Sequence, residues 1–335
     1  MSTPVPLSTL DYVPVAAGQS IPEALRDAVD VARAAEAAGY LRVWYTEHHG
    51  QPSVGASAPP VLIGTVAART TTIRVGSGGV MLPNHVPLVV AEQFGSLEAF
   101  HPGRIDLGIG RAPGGDPATL RLLRRGPAAA AQFRLDVREL RELRELLSAS
   151  PASHGVRATP GFASAVPMHL LGSSVSSAQL AAELGLPYVY AAHFSPDALE
   201  EAVTVYRDRF KPSEQAAIPH LMISVNVLAA LDLDTASDHQ RAMLRTEARK
   251  VLDRAGARVA EHEIDAFLDS PAGIAAARAF RIAAVGSGEE VRRQISEIAR
   301  SFGADELLLV HQGPDLKARL RSLRLTGPNS RATIA

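Results

Sequence analysis

Glu47, His48 and His49 are the most chemically versatile group in the sequence, because they place one carboxyl group and two imidazoles at consecutive positions. They follow an apolar run, so the pattern predicts that they end a β-strand. Such groups serve as acids, bases or metal ligands. Neighbouring strand side chains point to opposite faces, so His48 and His49 do not readily share one metal ion. Three interpretations stay open: an acid–base role for His48 in a pocket, a buried carboxylate hydrogen-bonded to histidines, and, least favoured, a metal site.

Glycines are concentrated at the ends of the next two apolar runs. Gly78 and Gly79 end the third run, and Gly108 and Gly110 end the fourth. Glycine weakens a strand and allows close approach to its backbone, so a cluster of four predicts contact with something flat and bulky. A planar ring system fits this pattern. Tight packing at a barrel corner is the alternative, and the sequence alone weighs the two nearly equally.

Four serines follow the fifth apolar run, at the predicted start of a helix. They are Ser173, Ser174, Ser176 and Ser177. Hydroxyls and unpaired backbone N–H groups at a helix N-terminus form a phosphate cradle, whereas N-capping explains only one of the four. Arg111, at the end of the neighbouring fourth strand, is well matched to a phosphomonoester. The imidazole, the glycines and the phosphate site together span about the length of a mononucleotide with a tricyclic ring.

Three polar residues near the predicted strand ends are candidates for substrate contacts. They are Glu47, Asn84 and His193. Each also has a structural interpretation, namely a buried hydrogen-bond network, a proline-bounded turn and a core-edge histidine. Asn226 interrupts the seventh apolar run, which predicts either an inward-facing amide with a partner or a polar site.

Apolar β-rich runs alternate with amphipathic segments along the whole sequence. Between the first two runs, Pro22 suits the start of a helix and Gly39 its end, and a second helix ends at Gly303 directly before the run ELLLV. A helix that leads directly into the next strand implies a parallel sheet. Eight such units predict a closed (β/α)8 TIM barrel rather than an open doubly wound sheet, the alternative fold. The predicted strands are residues 5–15, 41–48, 73–81, 105–111, 168–173, 188–194, 221–229 and 307–312.

No linker, repeat or charge block divides the chain, so residues 1–335 are predicted to form one barrel domain. Residues 232–281, after the seventh strand, exceed what a minimal barrel needs. This extra segment, mostly charged and predicted to be helical, should lie over the barrel mouth, because the loops that follow barrel strands form that face. We therefore expect it to act as a lid.

The composition excludes several classes of protein. The 34 Lys and Arg residues balance 35 Asp and Glu residues, which argues against a nucleic-acid binder. Cysteine is absent, which excludes thiol catalysis, disulfides and Cys-ligated metals. No apolar run is long enough to cross a membrane, and the N-terminal residues show no secretory signal. We expect a cytoplasmic protein.

Several ordered motifs make the sequence resemble the bacterial luciferase-like, flavin-dependent monooxygenase family over essentially all 335 residues. The segment 45–49 reads YTEHH, and 75–116 reads VGSGGVMLPNHVPLVVAEQFGSLEAFHPGRIDLGIGRAPGGD. The segment 171–194 reads LGSSVSSAQLAAELGLPYVYAAHF, and 303–310 reads GADELLLV. The match is closer to generic oxidoreductase members than to light-emitting subunits, which carry a reactive cysteine where this chain has Gly110.

This resemblance implies a (β/α)8 barrel that uses reduced FMN and O2, forms a homodimer or higher homo-oligomer, and receives its flavin from a separate reductase. It implies a flavin C4a-hydroperoxide that oxygenates a small substrate such as an aldehyde or ketone. His48 takes the place of the catalytic histidine, and Arg111, Ser174 and Ser177 take the places of the phosphate contacts. The bond between Gly78 and Gly79 falls where the family often has a cis peptide.

Three alternative functions stay open. A deazaflavin (F420)-dependent dehydrogenase on a related barrel would transfer hydride without oxygen. A non-catalytic flavin-binding protein would bind FMN and consume no oxygen. A metal-dependent hydrolase using Glu47 and His48 would lose its activity to a chelator.

Overall fold

Eight parallel strands close into a barrel. The computed structural model describes residues 5–16, 18–112, 117–123, 137–149, 155–254 and 259–332. Strands β1 to β6 pair in chain order, β6 pairs with β7, β7 with β9, and β9 returns to β1. The sheet is therefore a closed ring, and the open-sheet alternative is wrong. The strands are β1 Leu7–Asp11, β2 Arg42–Tyr45, β3 Arg74–Met81, β4 Ile105–Gly110, β5 Met168–Gly172, β6 Tyr188–Tyr190, β7 Leu221–Ala230, β8 Ala283–Ser287 and β9 Glu306–His311.

Helices connect the strands, and their ends follow local sequence rules. The first helix has a capping box between Ser20 and Glu23, and the helix before β9 ends at Gly303, which adopts a left-handed conformation. The helices of the described residues are α1 Ile21–Ala37, α2 Pro59–Ala67, α3 Pro87–Phe100, α4 Pro117–Leu123, α5 Val137–Leu147, α6 Val175–Leu184, α7 Leu199–Asp208, α8 Leu233–Arg254, α9 Glu261–Leu268, α10 Pro271–Ala276, α11 Gly288–Phe302 and α12 Leu316–Thr326.

All eight predicted strands are present, but β1, β2 and β6 are shorter than predicted. At the mouth, the backbone at the ends of these strands stops pairing with the neighbouring strands and makes other hydrogen bonds. The N–H of His48 donates to the carbonyl of Ala56, and the N–H of His193 donates to that of Ser224. The apolar pattern continues past these points because the mouth is still buried, so the sequence could not mark the true ends.

A ninth strand, β8, was not predicted. Asn226 and Val227 of β7 pair with β8 and with β9 at once, so β8 and β9 lie on opposite edges of β7. The short β6 pairs only with residues 221–223 of β7, so the same edge of β7 is open further along. Strand β8 pairs with that part of β7, at residues 226–230. Its sequence, AAVGS, is short and only partly buried, so it carries no strong strand signal.

The extra segment after β7 folds into helices α8, α9 and α10, as predicted. Two contacts place it beside the barrel mouth. Glu247 of α8 acts electrostatically on Tyr12, directly after β1, and Arg281 forms an ion pair with Asp197 of the loop after β6 at 3.2 Å. No helix of the described residues combines the length and apolar character that crossing a membrane requires.

Two apolar clusters stabilise the fold. The larger lies between the strands and the surrounding helices. The smaller fills the barrel interior with side chains from six strands, so the barrel is a packed core and not a pore. Its buried members are Leu10, Trp44, Leu171, Val189, Met222, Leu308 and Val310.

A buried ionic cluster closes the end of the barrel opposite the mouth. Arg42 of β2 binds Asp106 of β4 at 2.9 Å and Glu306 of β9 at 2.8 Å. Arg74 binds Asp106 at 2.6 Å, and Trp44 Nε1 donates to the same carboxylate at 3.0 Å. Both carboxylates are buried, and no charge in the cluster lacks an opposite partner. Arg42 of β2 thus links β4 to β9, each of which lies two strands away from β2 in the ring.

Burial alone would raise the pKa values of Asp106 and Glu306, but their partners lower both below the ordinary range. The guanidinium of Arg42 does so for Asp106, and a contact with His220 together with Arg42 does so for Glu306. Both side chains are therefore ionised at neutral pH, and their charges stabilise the folded state.

We expect Arg42→Met to lower the free energy of unfolding by about 3–5 kcal/mol, because it leaves two buried carboxylates without their shared cation. Urea denaturation at neutral pH measures this change. Arg26→Met, the same substitution at an exposed site on α1, is the matched control and should change stability by less than about 0.5 kcal/mol. Equal losses in the two variants would contradict the role of the cluster.

The same variant should change the pH dependence of stability. Because the carboxyl pKa values are lowered in the folded state, their contribution is complete above the ordinary values, about 4, and is lost as pH falls through the folded values. We expect the wild type to lose stability steeply below about pH 4 and Arg42→Met to lose it less steeply. Unfolding curves measured at stepwise lower pH test this expectation.

Candidate active site

Glu47 holds two histidines at the mouth, directly after β2. Its Oε1 accepts hydrogen bonds from His49 Nε2 at 2.7 Å and His85 Nε2 at 2.8 Å, and its Oε2 accepts from the N–H of Met81 at 3.0 Å. Burial would raise the pKa of Glu47, but the hydrogen bond and charge of His85 bring it below the ordinary value. The carboxylate is fully buried and hydrogen-bonded to both histidines, the arrangement that the buried-network interpretation describes, and the substrate contact of Glu47 stays a prediction.

His48 points away from this network and towards the first strand. Its ring stacks on that of Tyr12, with centroids 5.5 Å apart and planes inclined by 17°. Its positive charge would also act on His193, across the mouth. The strand alternation used in the sequence analysis thus separates His48 from His49. Among the described residues, no group of three or more histidines and carboxylates is arranged to hold a metal ion.

Tyr12 connects His48 to His193. Its hydroxyl lies 2.6 Å from His193 Nε2, and His193 Nδ1 lies 2.5 Å from Ser224 Oγ on β7. The carbonyl of His193 accepts a hydrogen bond from Asn226 Nδ2 at 2.8 Å, so this buried amide faces inward with a partner, one of the two predicted outcomes. Burial and the charge of His48 together lower the pKa of His193 to about 4.

The glycines of β3 and β4 are packed against protein. The peptide bond between Gly78 and Gly79 is cis, as the resemblance implies. A Cβ on Gly78 would meet Leu10 inside the barrel, and one on Gly79 would meet the backbone of Gly108 and Gly110. A Cβ on Gly110 would meet the sulfur of Met81, so a larger side chain there would require this flexible side chain to move. The packing interpretation therefore accounts for these glycines, while their backbone still lines the rim.

Arg111 and the serines form a polar cluster at the start of α6. Arg111 Nη1 donates to Ser176 Oγ at 3.2 Å, and Ser176 Oγ lies 3.1 Å from the hydroxyl of Ser174, the N-cap residue. Ser177 differs, because its buried hydroxyl donates to the carbonyl of Ser174 at 2.6 Å and contacts Tyr188. The exposed hydroxyls of the cluster are those of Ser174 and Ser176, and Ser173 is half-buried beside them.

The structure brings most of the predicted residues to one rim and adds others. Asn84 is half-buried in a short turn directly before His85, next to the Glu47 network. The sequence analysis missed Tyr12 and Ser224. Strand alternation could have found both, because Tyr12 is two residues from the inward-facing Leu10, and Ser224 is two residues from the inward-facing Met222.

Comparisons with known proteins identify the family of this chain. The profile of a family described as luciferase-like monooxygenase matches residues 7–306. The chain belongs to the luciferase-like monooxygenase family. An Escherichia coli (strain K12) protein with that same description is 41% identical over 326 residues, which cover 96% of each chain. The crystal structure of apo-MsnO8 is 36% identical, covers 97% of each chain and superposes with a TM-score of 0.82.

Two more distant structures share the fold of this luciferase-like chain. The oxygenating constituent of 3,6-diketocamphane monooxygenase from Pseudomonas putida, a type II Baeyer–Villiger monooxygenase in complex with FMN, is 18% identical with a TM-score of 0.73, covering 97% of each chain. An F420-dependent secondary alcohol dehydrogenase is also 18% identical, with a TM-score of 0.67, and the match covers 96% of this chain and 97% of the other. At this identity the likeness extends to the barrel alone.

We expect Glu47→Gln to lower the free energy of unfolding by about 1–3 kcal/mol, because an amide has only one accepting oxygen for the three donors that Glu47 binds. Urea denaturation measures the loss. Glu297→Gln, on the exposed face of α11, is the matched control. If Glu47→Gln is as stable as this control, the carboxylate does not hold the two histidines in place.

Proposed function

We propose that this protein is a flavin-dependent monooxygenase that uses reduced FMN and O2 to oxygenate a small organic substrate resembling an aldehyde or ketone. The observation that carries the proposal is the cluster of Arg111, Ser174 and Ser176 on the same rim as His48. A guanidinium and two exposed hydroxyls at a helix N-terminus fit a phosphomonoester. The FMN complex of a structural neighbour supports a flavin on this type of barrel.

Each part of the rim has its own role in the proposal. Arg111 and the serines, including Ser173 and Ser177 through the helix start, hold the phosphate, and the backbone of Gly78, Gly79 and Gly110 lies beside the ring. When bound, reduced FMN supplies the electrons that activate O2.

The remaining roles belong to side chains that face the substrate. The imidazole of His48 donates or accepts a proton on the substrate side. Asn84 and His193 border the same space, and helices α8 to α10 exclude water from it.

The proposal extends to how the protein works in the cell. A single barrel domain operates in the cytoplasm as a homodimer or a higher homo-oligomer. A flavin reductase is its functional partner. FMN is held only through contacts to its phosphate and ring, so it can exchange with reduced FMN that a separate enzyme supplies. The deazaflavin-dependent dehydrogenase is the main competing function, since a dehydrogenase of that class shares the barrel.

We expect Arg111→Ala to weaken the binding of reduced FMN about tenfold or more, because a hydrogen bond to a charged group contributes roughly 1.5–3 kcal/mol. Anaerobic titration of the purified protein with reduced FMN measures the dissociation constant. Arg293→Ala, an exposed arginine on α11, is the control and should leave it unchanged. Riboflavin, which lacks the phosphate, should bind the wild type and Arg111→Ala equally weakly.

A parallel titration with reduced F420 separates the two functions. Tight binding of reduced FMN, followed after mixing with air by incorporation of one oxygen atom of O2 into an added aldehyde or ketone, supports the monooxygenase. Preference for F420, with hydride transfer from an alcohol and no oxygen requirement, would contradict it. Binding of reduced FMN that yields only peroxide in air, with no oxygenated product from any aldehyde or ketone, would indicate a non-catalytic flavin-binding protein.

A further inference from the structure

The mouth contains a hydrogen-bonded chain of Tyr12, His193 and Ser224 that the proposed function does not use as a unit. Its three side chains come from the ends of β1 and β6 and from the middle of β7, which only the closed barrel brings together. Tyr12 and His193 are both partly exposed, and the ring of Tyr12 stacks on that of His48. A titratable pair therefore lies directly beside the histidine proposed to act on the substrate.

The direction of the hydrogen bonds follows from counting protons. Ser224 has one hydroxyl proton and donates it to the carbonyl of Tyr190 at 3.1 Å, because a carbonyl can only accept. Ser224 Oγ must then accept from His193 Nδ1, which fixes the neutral imidazole with its proton on Nδ1. The bare Nε2 accepts from Tyr12, whose hydroxyl is the donor. The lone pairs of the Tyr12 oxygen are left to accept a hydrogen bond from the mouth.

The local electrostatics keep both groups in the states that this chain requires. Burial, with the charge of Glu247 on α8, raises the pKa of Tyr12 well above its ordinary value, so the phenol keeps its proton at neutral pH. Burial and the charge of His48 lower the pKa of His193 to about 4, so its Nε2 is unprotonated and accepts. Electrostatically, Glu247 acts on Tyr12 and His48 acts on His193.

We infer that Tyr12 is a specificity residue of the mouth, whose oxygen accepts a hydrogen bond from a substrate hydroxyl while its own hydroxyl donates to His193 Nε2. No proton is transferred and no covalent bond is broken in this step. Burial and the charge of His48 lower the pKa of His193 to about 4, so His193 stays a neutral acceptor and does not take the proton of a phenol or an enol.

This assignment names a substrate class, namely a molecule with a hydroxyl group such as a phenol or the enol form of a ketone. It rests on the proposed function and deepens it, because it names the group of the substrate that the mouth binds. His193 and Ser224 act through Tyr12, and they are positioning residues that fix the direction of its hydroxyl.

A second hydrogen-bonded group of a tyrosine, a histidine and a serine lies elsewhere in the protein and provides a control. The hydroxyl of Tyr40 lies 3.0 Å from His311 Nε2, and His311 Nδ1 lies 2.8 Å from Ser322 Oγ. All three side chains are buried in the outer core. Tyr40→Phe therefore controls for the loss of a buried tyrosine hydroxyl that bonds to a histidine.

The first test examines the hydrogen-bonded chain by NMR of the protein labelled with 15N in its histidine side chains, with His193 assigned through His193→Gln. We expect His193 to carry its proton on Nδ1 across neutral pH in the wild type. In Tyr12→Phe, which retains the ring that stacks on His48, the Nε2 signal should shift because it loses its donor. A proton on Nε2 in the wild type, or an unchanged signal in Tyr12→Phe, would overturn the assignment.

The second test uses the protein without flavin, so that it can fail independently of the proposed function. The probes are 4-nitrophenol, which has a hydroxyl proton, and 4-nitroanisole, which lacks it. We expect the wild type and Tyr40→Phe to bind the phenol roughly three- to tenfold more tightly than the ether, the range that one hydrogen bond contributes. Tyr12→Phe should lose this preference. Equal affinities in the wild type, or no binding of either probe, overturns the hydroxyl-substrate class.

Discussion

The buried bridge from Asp106 through Arg42 to Glu306 is the constraint on which the barrel depends. The three residues lie on β4, β2 and β9, so one guanidinium spans five neighbouring strands of the ring. Each member of the bridge would be costly to bury alone, and only a closed barrel places all of them within contact distance. The ionic cluster therefore favours one register and one closure of the sheet. It also keeps its charges at the end of the barrel opposite the mouth.

The mouth follows a different rule from the closed end. There, the buried groups are paired in ways that leave chemically useful atoms at the surface. The carboxylate of Glu47 accepts hydrogen bonds from two histidines and a backbone N–H, and these bonds hold the loops after β2 and β3 in place. Ser224 fixes the tautomer of His193, and through it the hydroxyl of Tyr12. The hydrogen bonds that satisfy buried polar atoms thus also determine which lone pairs and protons face a ligand.

Packing and chemistry also meet at the glycine-rich ends of β3 and β4. The sequence favoured neither a ring-binding wall nor a packed corner, and the structure shows that the Cβ positions are already occupied by neighbouring strands. A glycine backbone that packs tightly on one side still presents peptide groups on the other.

The sequence by itself determined the barrel, the eight strands of its ring, the helical segment after β7 and the polar residues at the strand ends. These follow from hydrophobic periodicity and from the rule that active sites gather where barrel strands end, both of which are local or topological. Only the tertiary structure decided the partners. It placed Glu47 behind His49 and His85, turned the hydroxyl of Ser177 inward, and added β8 and the pairing of Tyr12 with His193. Residues 12 and 193 lie 181 positions apart, and a contact of that kind depends on barrel closure, which no local pattern encodes.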